Sequence, residues 1–184
     1  MQIKFSDEFN DIAFRARNEA LRTGQLGIGV DHLMLGILRH KNNDACRTLS
    51  ELGIDLKEFK RYIDSRIFQE RALTLHDQDA IRPTKAAASV VSIAAYEALK
   101  SESPEILSSH LLLAVSRSEG NASREFMASK SVDYNRLHER IRQSGRLKES
   151  TKIRTPRMEE AASALGEQLT NLFGSVKSKT NFYS

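Results

Sequence analysis

Two histidines stand in matching surroundings: His32 in VDHLMLGILRH, residues 30–40, and His110 in LSSHLLLAVSRS, residues 107–118. An imidazole is the side chain best suited to proton transfer near neutral pH and to binding zinc, so these positions are the first to weigh for chemistry. Zinc would need a second His or Cys one helical turn away with a carboxylate nearby, as in HExxH, and neither copy supplies one. His40, His76 and His138 lie in unrelated contexts, so no metal is expected. Ser108 and Ser109 precede His110, but nucleophilic catalysis needs a base and an orienting acid gathered in space, not neighbours in sequence. No catalytic residue is expected. An imidazole near the start of a Leu-rich helix hydrogen-bonds locally and packs, and that structural role is the expectation for both. Cys46, the one cysteine, excludes an intrachain disulfide, and in DACRTL it reads as a small buried side chain of a helix.

The elements that position these residues come in two copies. An offset of 78 residues places His32 on His110, and Glu19, Ala20 and Leu21 on Glu97, Ala98 and Leu99, without a gap. It also sets Ile12 on Val90, Arg39 on Arg117, Asp55 on Asp133 and Ile63 on Ile141. The repeats run from about 6 to 64 and 84 to 142, joined by SRIFQERALTLHDQDAIRP. In the first, Phe9, Ile12, Ala13, Ala16 and Ala20 follow helical spacing after Ser6, a good N-cap residue. In the second, Ala87, Val90, Val91, Ala94 and Ala98 follow Thr84 in the same way. Each long helix leads through a Gly- or Pro-containing loop to the short histidine helix. Two more short helices are expected near 43–52 and 55–64, matched near 121–130 and 133–143. No β-alternation of useful length appears. The fold class is therefore all-α, two tandem four-helix repeats packed as a pseudo-twofold pair, because neither repeat has much apolar surface to spare alone.

Charge is unevenly placed. The chain is +4, yet residues 146–184 hold seven Lys or Arg and four Glu, which leaves the body at +1. With no tryptophan and no basic face interleaved with aromatics in the body, nucleic acid is not an expected partner. No window approaches the 18 or so apolar residues of a membrane span, and the first residues, MQIKFSDEFND, are acidic where a secretory signal would be apolar. No membrane partner and a cytoplasmic location are expected.

The stretches FSDEFNDIAFRARNEALRTGQLGIGVDHLMLGILRH and LSELGID, with their second-repeat counterparts, resemble the N-terminal domain of Clp ATPases, the ClpC-like class in particular. The resemblance covers about residues 4–143 and implies eight helices in two repeats. Clp ATPases hydrolyse ATP through AAA+ modules with a G-x-x-x-x-G-K-[ST] loop, and none of the nine glycines begins one, so no enzyme activity and no cofactor are expected. The resemblance implies a non-catalytic module that receives protein substrates or adaptors and passes them to an unfolding ring, with a full-length Clp ATPase as a further partner. It also implies phosphoarginine pockets, one per repeat, each built from a hydroxyl opening the first helix and an acid just before the histidine. Carried over, the first pocket uses Ser6 with Asp31, and the second Thr84 with Ser109 at the acid position. A helix N-terminus offers donors to the phosphate and a carboxylate pairs with the guanidinium. Ser109 supplies no such charge, and Asp31 is one methylene shorter than the family's Glu. The alternative is that Ser6, Thr84 and Ser108 are N-caps and Asp31 complements a helix dipole.

Residues 1–145 thus read as the double repeat domain, 146–157 as a basic linker, and 158–184 as a tail with an amphipathic helix. Met158, Ala161, Ala162, Leu165, Leu169 and Leu172 form one stripe there. Docking on the domain or on another chain is its expected use, which leaves open a second function: a self-assembling scaffold whose tail helix drives homo-oligomerisation while the pockets are vestigial.

Overall fold

The computed structural model describes residues 3–71, 73–74 and 76–145. The basic linker and the tail helix expected at 158–184 lie outside them. Among the described residues there are eight α-helices, and the 78-residue offset holds element by element. Strand β1 (Lys4–Phe5) leads into α1 (Asp7–Arg22), β2 (Gly27–Ile28) into α2 (Val30–His40), then α3 (Asp44–Glu51) and α4 (Leu56–Ile67). A 3-10 turn at Asp77–Ala80 in the connector precedes β3 (Arg82–Pro83), α5 (Lys85–Lys100), β4 (Glu105–Ile106), α6 (Ser108–Arg117), α7 (Ala122–Ser129) and α8 (Tyr134–Gln143).

Six of the eight helices start where a side-chain oxygen takes up an orphan backbone N–H. The Ser6 and Thr84 hydroxyls accept from Phe9 and Ala87, Asn43 and Asn121 from Cys46 and Arg124, and Asp55 and Asp133 from the first turns of α4 and α8. The apolar stripes read from the sequence, Phe9 to Ala20 and Ala87 to Ala98, are all buried. Within each repeat the long helix packs antiparallel against the histidine helix. α1 and α2 approach closely at Gly36, where a Cβ would lie 2.5 Å from the Ile12 carbonyl oxygen.

The four two-residue strands were not expected, since two residues leave no period to read. They decide how the repeats are joined. β1 pairs in parallel with β4, and β2 with β3, so each strand of one repeat bonds to the other repeat. The helices cross over in the same sense. Phe59 of α4 stacks on Phe126 of α7 at 4.6 Å, and an ion pair joins Arg140 of α8 to Glu51 of α3. One continuous apolar core runs through both repeats. Burying each repeat's exposed apolar face against its copy is what stabilises two units too small to hold a core alone.

Candidate functional site

The two histidines do the same work in each repeat. Gly29 and Leu107 open α2 and α6 without a capping side chain, and the imidazole three residues on supplies the missing acceptor. His32 Nδ1 accepts from the Gly29 amide and His110 Nδ1 from the Leu107 amide, each at 2.9 Å. Because Nδ1 accepts from a backbone N–H, the proton must sit on Nε2. Nε2 then donates to the Thr23 hydroxyl at 2.9 Å, and in the second copy to the Ser101 hydroxyl at 3.1 Å. Those hydroxyls donate onward to the Glu19 and Glu97 carbonyls near the ends of α1 and α5. Each histidine therefore ties the end of a long helix to the start of the next.

Such rings are poor catalysts. His32 and His110 are 2% and 1% exposed, and burial lowers both pKa values to about 4. For His32, burial outweighs Asp31 and Glu19, which favour the charged form, with Arg22 adding to the depression. For His110 the opposing carboxylate is Glu97. Both ring nitrogens are engaged, so neither ring offers a lone pair to a proton or a metal. Ser108 Oγ accepts from the Ala45 amide of the other repeat at 3.3 Å, and the ring of His110 bonds elsewhere, so the serines and the histidine form no relay. Cys46 is buried, its thiol donates to the Ile37 carbonyl at 3.4 Å, and burial pushes its pKa up to about 11.

The four pocket candidates are brought together in another pairing than the one expected. α1 and α2 run antiparallel: Asp11 lies beside His40 and Thr23 beside His32, so the start of α1 is at the far end of α2. At 1.5 Å rise per residue Ser6 and Asp31 are about 20 Å apart and share no pocket. The strand crossover sets the real neighbours. Ser6 Oγ donates to the Ile106 carbonyl of the second repeat at 2.7 Å, while Glu8 accepts from the Ser108 amide at 2.8 Å, capping α6. The Thr84 amide donates to the Ile28 carbonyl at 3.0 Å, beside the start of α2. Asp31 reaches across to α7: its carboxylate accepts from the amides of Ala122 and Ser123 at 3.1 and 2.9 Å, and from the Ser123 hydroxyl at 2.6 Å. Ser109 is 3% exposed. Two helix starts of the second repeat, those of α6 and α7, are thus capped by carboxylates of the first.

Sequence reasoning missed Glu8, Thr23 and Ser101. Thr23 and Ser101 carried a signal, a hydroxyl recurring at the 78-residue offset, whereas Glu8 falls on Ala86 and carried none.

A family model for the Clp repeat N-terminal domain matches residues 4–130. The chain belongs to that family. Over 142 residues this Clp N-terminal domain is 25% identical to the negative regulator of genetic competence ClpC/MecB of Bacillus subtilis, which covers 76% of the chain and 17% of that protein. Chaperone protein ClpB of Oceanobacillus iheyensis is 23% identical over 140 residues, with the same shares. The chain thus spans less than a fifth of the curated relatives it matches. The crystal structure of the Hsp104 N-terminal domain from Candida albicans shares the fold at a TM-score of 0.63 and 16% identity, over 80% of this chain and 96% of that one. Among the described residues, no helix of the Clp N-terminal domain is long and apolar enough to cross a membrane.

Proposed function

We propose that this Clp N-terminal domain is a non-catalytic, cytosolic protein-binding module that receives substrates or adaptor proteins for a Clp ATPase. Membership of the family carries the reading. The state of the histidines supports its non-catalytic half: the two groups best suited to chemistry are neutral, buried and bonded at both nitrogens. Anisotropy with a labelled polypeptide held unfolded by reduction and carboxymethylation tests it. Saturable binding of the unfolded chain, absent for its folded form, is expected; no binding, together with no competition for an adaptor of a full-length Clp ATPase, overturns the proposal.

For Ser6, Asp31 and Thr84 we infer helix capping and inter-repeat bonding, and for Ser109 a buried packing role, rather than a phosphoarginine pocket. What supports this is that Asp31 already accepts three hydrogen bonds and that Ser6 both accepts and donates within the protein. Calorimetry with free phosphoarginine distinguishes the two. Negligible heat is expected, and one-site binding abolished by Asp31→Ala would overturn the inference.

A further inference from the structure

A crevice of about 740 Å³ opens between α1, α2 and the start of α4, and its charge is all of one sign. Arg15, Arg39, Lys41, Lys57 and Lys60 line it, with no acidic residue among the lining groups. Leu38 and Leu56 supply apolar surface between them. Arg15, Arg39 and Lys60 each have a carboxylate partner on the same helix or behind the wall: Asp11, Glu19 and Asp64. Lys41 and Lys57 are exposed and form no ion pair among the described residues.

The internal repeat provides a control. At the 78-residue offset Leu38, Arg39, Lys41, Leu56 and Lys57 become Ser116, Arg117, Glu119, Tyr134 and Asn135, and these five also line a crevice, of about 560 Å³. Asp133 and Arg124 complete the ionisable groups there, so two cations meet two anions. The second crevice is further closed by Arg117 lying over the Tyr134 ring at 4.9 Å, with the Tyr134 hydroxyl donating to Glu97. Shared architecture accounts for the crevice in both repeats. It does not account for the charge in one.

Two features of the basic crevice run against stability. Lys57 stands in the first turn of α4, where the helix dipole disfavours a cation. Lys41 has φ 65 and ψ −52, with the Asn42 amide donating back to the His40 carbonyl at 2.7 Å, a tight turn that L-residues rarely adopt. A cation on a strained turn and another at a helix N-terminus, in a crevice of one charge sign, are costs that packing does not explain.

We propose that this crevice is a docking site for an acidic protein segment in which Asp and Glu flank apolar residues. The proposal rests on the protein-receiving reading above and names its surface and the partner's chemistry. Carboxylates meet the convergent lysines and arginines, apolar side chains lie on Leu38 and Leu56, and the volume lies within the 300–1,000 Å³ or so that a ligand of a few residues fills. Nucleic acid fits less well. The cations converge on a short crevice instead of following a phosphate track, and no aromatic ring lines it for a base to stack on.

The test uses the full chain and a fluorescein-labelled twelve-residue peptide of Glu and Leu, read by anisotropy. Lys41→Glu/Lys57→Glu/Lys60→Glu is expected to weaken binding at least tenfold, and Lys41→Gln/Lys57→Gln by a smaller factor. A charge-matched control, Arg66→Glu/Lys85→Glu/Arg136→Glu, leaves it within twofold. Equal loss in the control, no binding by the parent chain, or displacement by a single-stranded DNA 12-mer at lower concentration than by unlabelled peptide would each overturn the proposal. The unfolded polypeptide keeps the two readings apart: if the parent captures it and ignores the acidic peptide, only the crevice proposal fails. If it captures neither, the receiving function fails as well.

Discussion

Mild acid should loosen this fold through two residues that sit at the same place in the two repeats. His32 and His110 have folded-state pKa values of about 4, lowered mainly by burial, against about 6.5 in the unfolded chain. The unfolded chain therefore binds more protons below pH 6.5, so the stability is complete above that value and falls as pH drops from 6.5 towards 4. Between pH 7.5 and pH 5 each histidine removes about 2 kcal/mol and the pair about 4 kcal/mol, a large part of the 5–15 kcal/mol of a typical domain. The structural cause is specific: a proton added at Nδ1 faces the N–H of Gly29 or Leu107 that now donates to that atom. Urea unfolding followed by circular dichroism measures the effect, with a midpoint expected about 2 M lower at pH 5 for a urea slope near 2 kcal/mol/M. The carboxylates held below their ordinary range, Asp55, Asp77 and Glu139, do not titrate in this window. His32→Gln/His110→Gln should flatten the pH dependence. Equal midpoints at the two pH values, or NMR signals assigned to the His32 and His110 imidazoles titrating near pH 6.5, would refute the buried, neutral assignment.

Gly36→Ala should destabilise the protein by about 1–3 kcal/mol, seen as a lower thermal midpoint, because its Cβ would meet the Ile12 carbonyl and force α1 from α2. The reverse change at the equivalent site, Ala114→Gly, meets no such clash and should cost about 1 kcal/mol through helix propensity, with a further cost for the methyl it removes from the core. Asp31→Ala should cost about 1–2 kcal/mol, because it removes the acceptor of the first two α7 amides while Asn121 still caps Arg124, and hydrogen exchange should rise at Ala122 and Ser123 before it rises in α1. Cys46 should react with a thiol reagent at pH 8 only after urea unfolds the chain, since its thiol is buried and its pKa is raised to about 11.

Much of the architecture was legible because it is local and repeated. Helix faces such as Phe9, Ile12, Ala13 and Ala16 show themselves by spacing, caps such as Ser6 and Thr84 by residue type, and the copying of one unit by the 78-residue register. The structural role of His32 and His110 could be read for the same reason, because the group each ring bonds to at Nδ1 lies three residues away. The partners of the pocket candidates could not. A resemblance that assigns Ser6 and Asp31 to one repeat says nothing of the antiparallel packing that separates them, nor of two-residue strands too short to leave a pattern. Asp31 caps a helix about 90 residues away, and only the exchange of elements between repeats brings it there.

The basic crevice belongs to the same class. Arg15, Arg39 and Lys57 are scattered along the chain among ordinary surface charges, and the body's net charge is close to neutral. Sequence determined which residues form helices and that two copies must share a core, since those follow from short-range periodicity and from the area each unit can bury. Tertiary structure alone decided which charges face one another, because Coulomb interactions depend on separation in space, and packing three helices of one repeat together brought five cations to one opening.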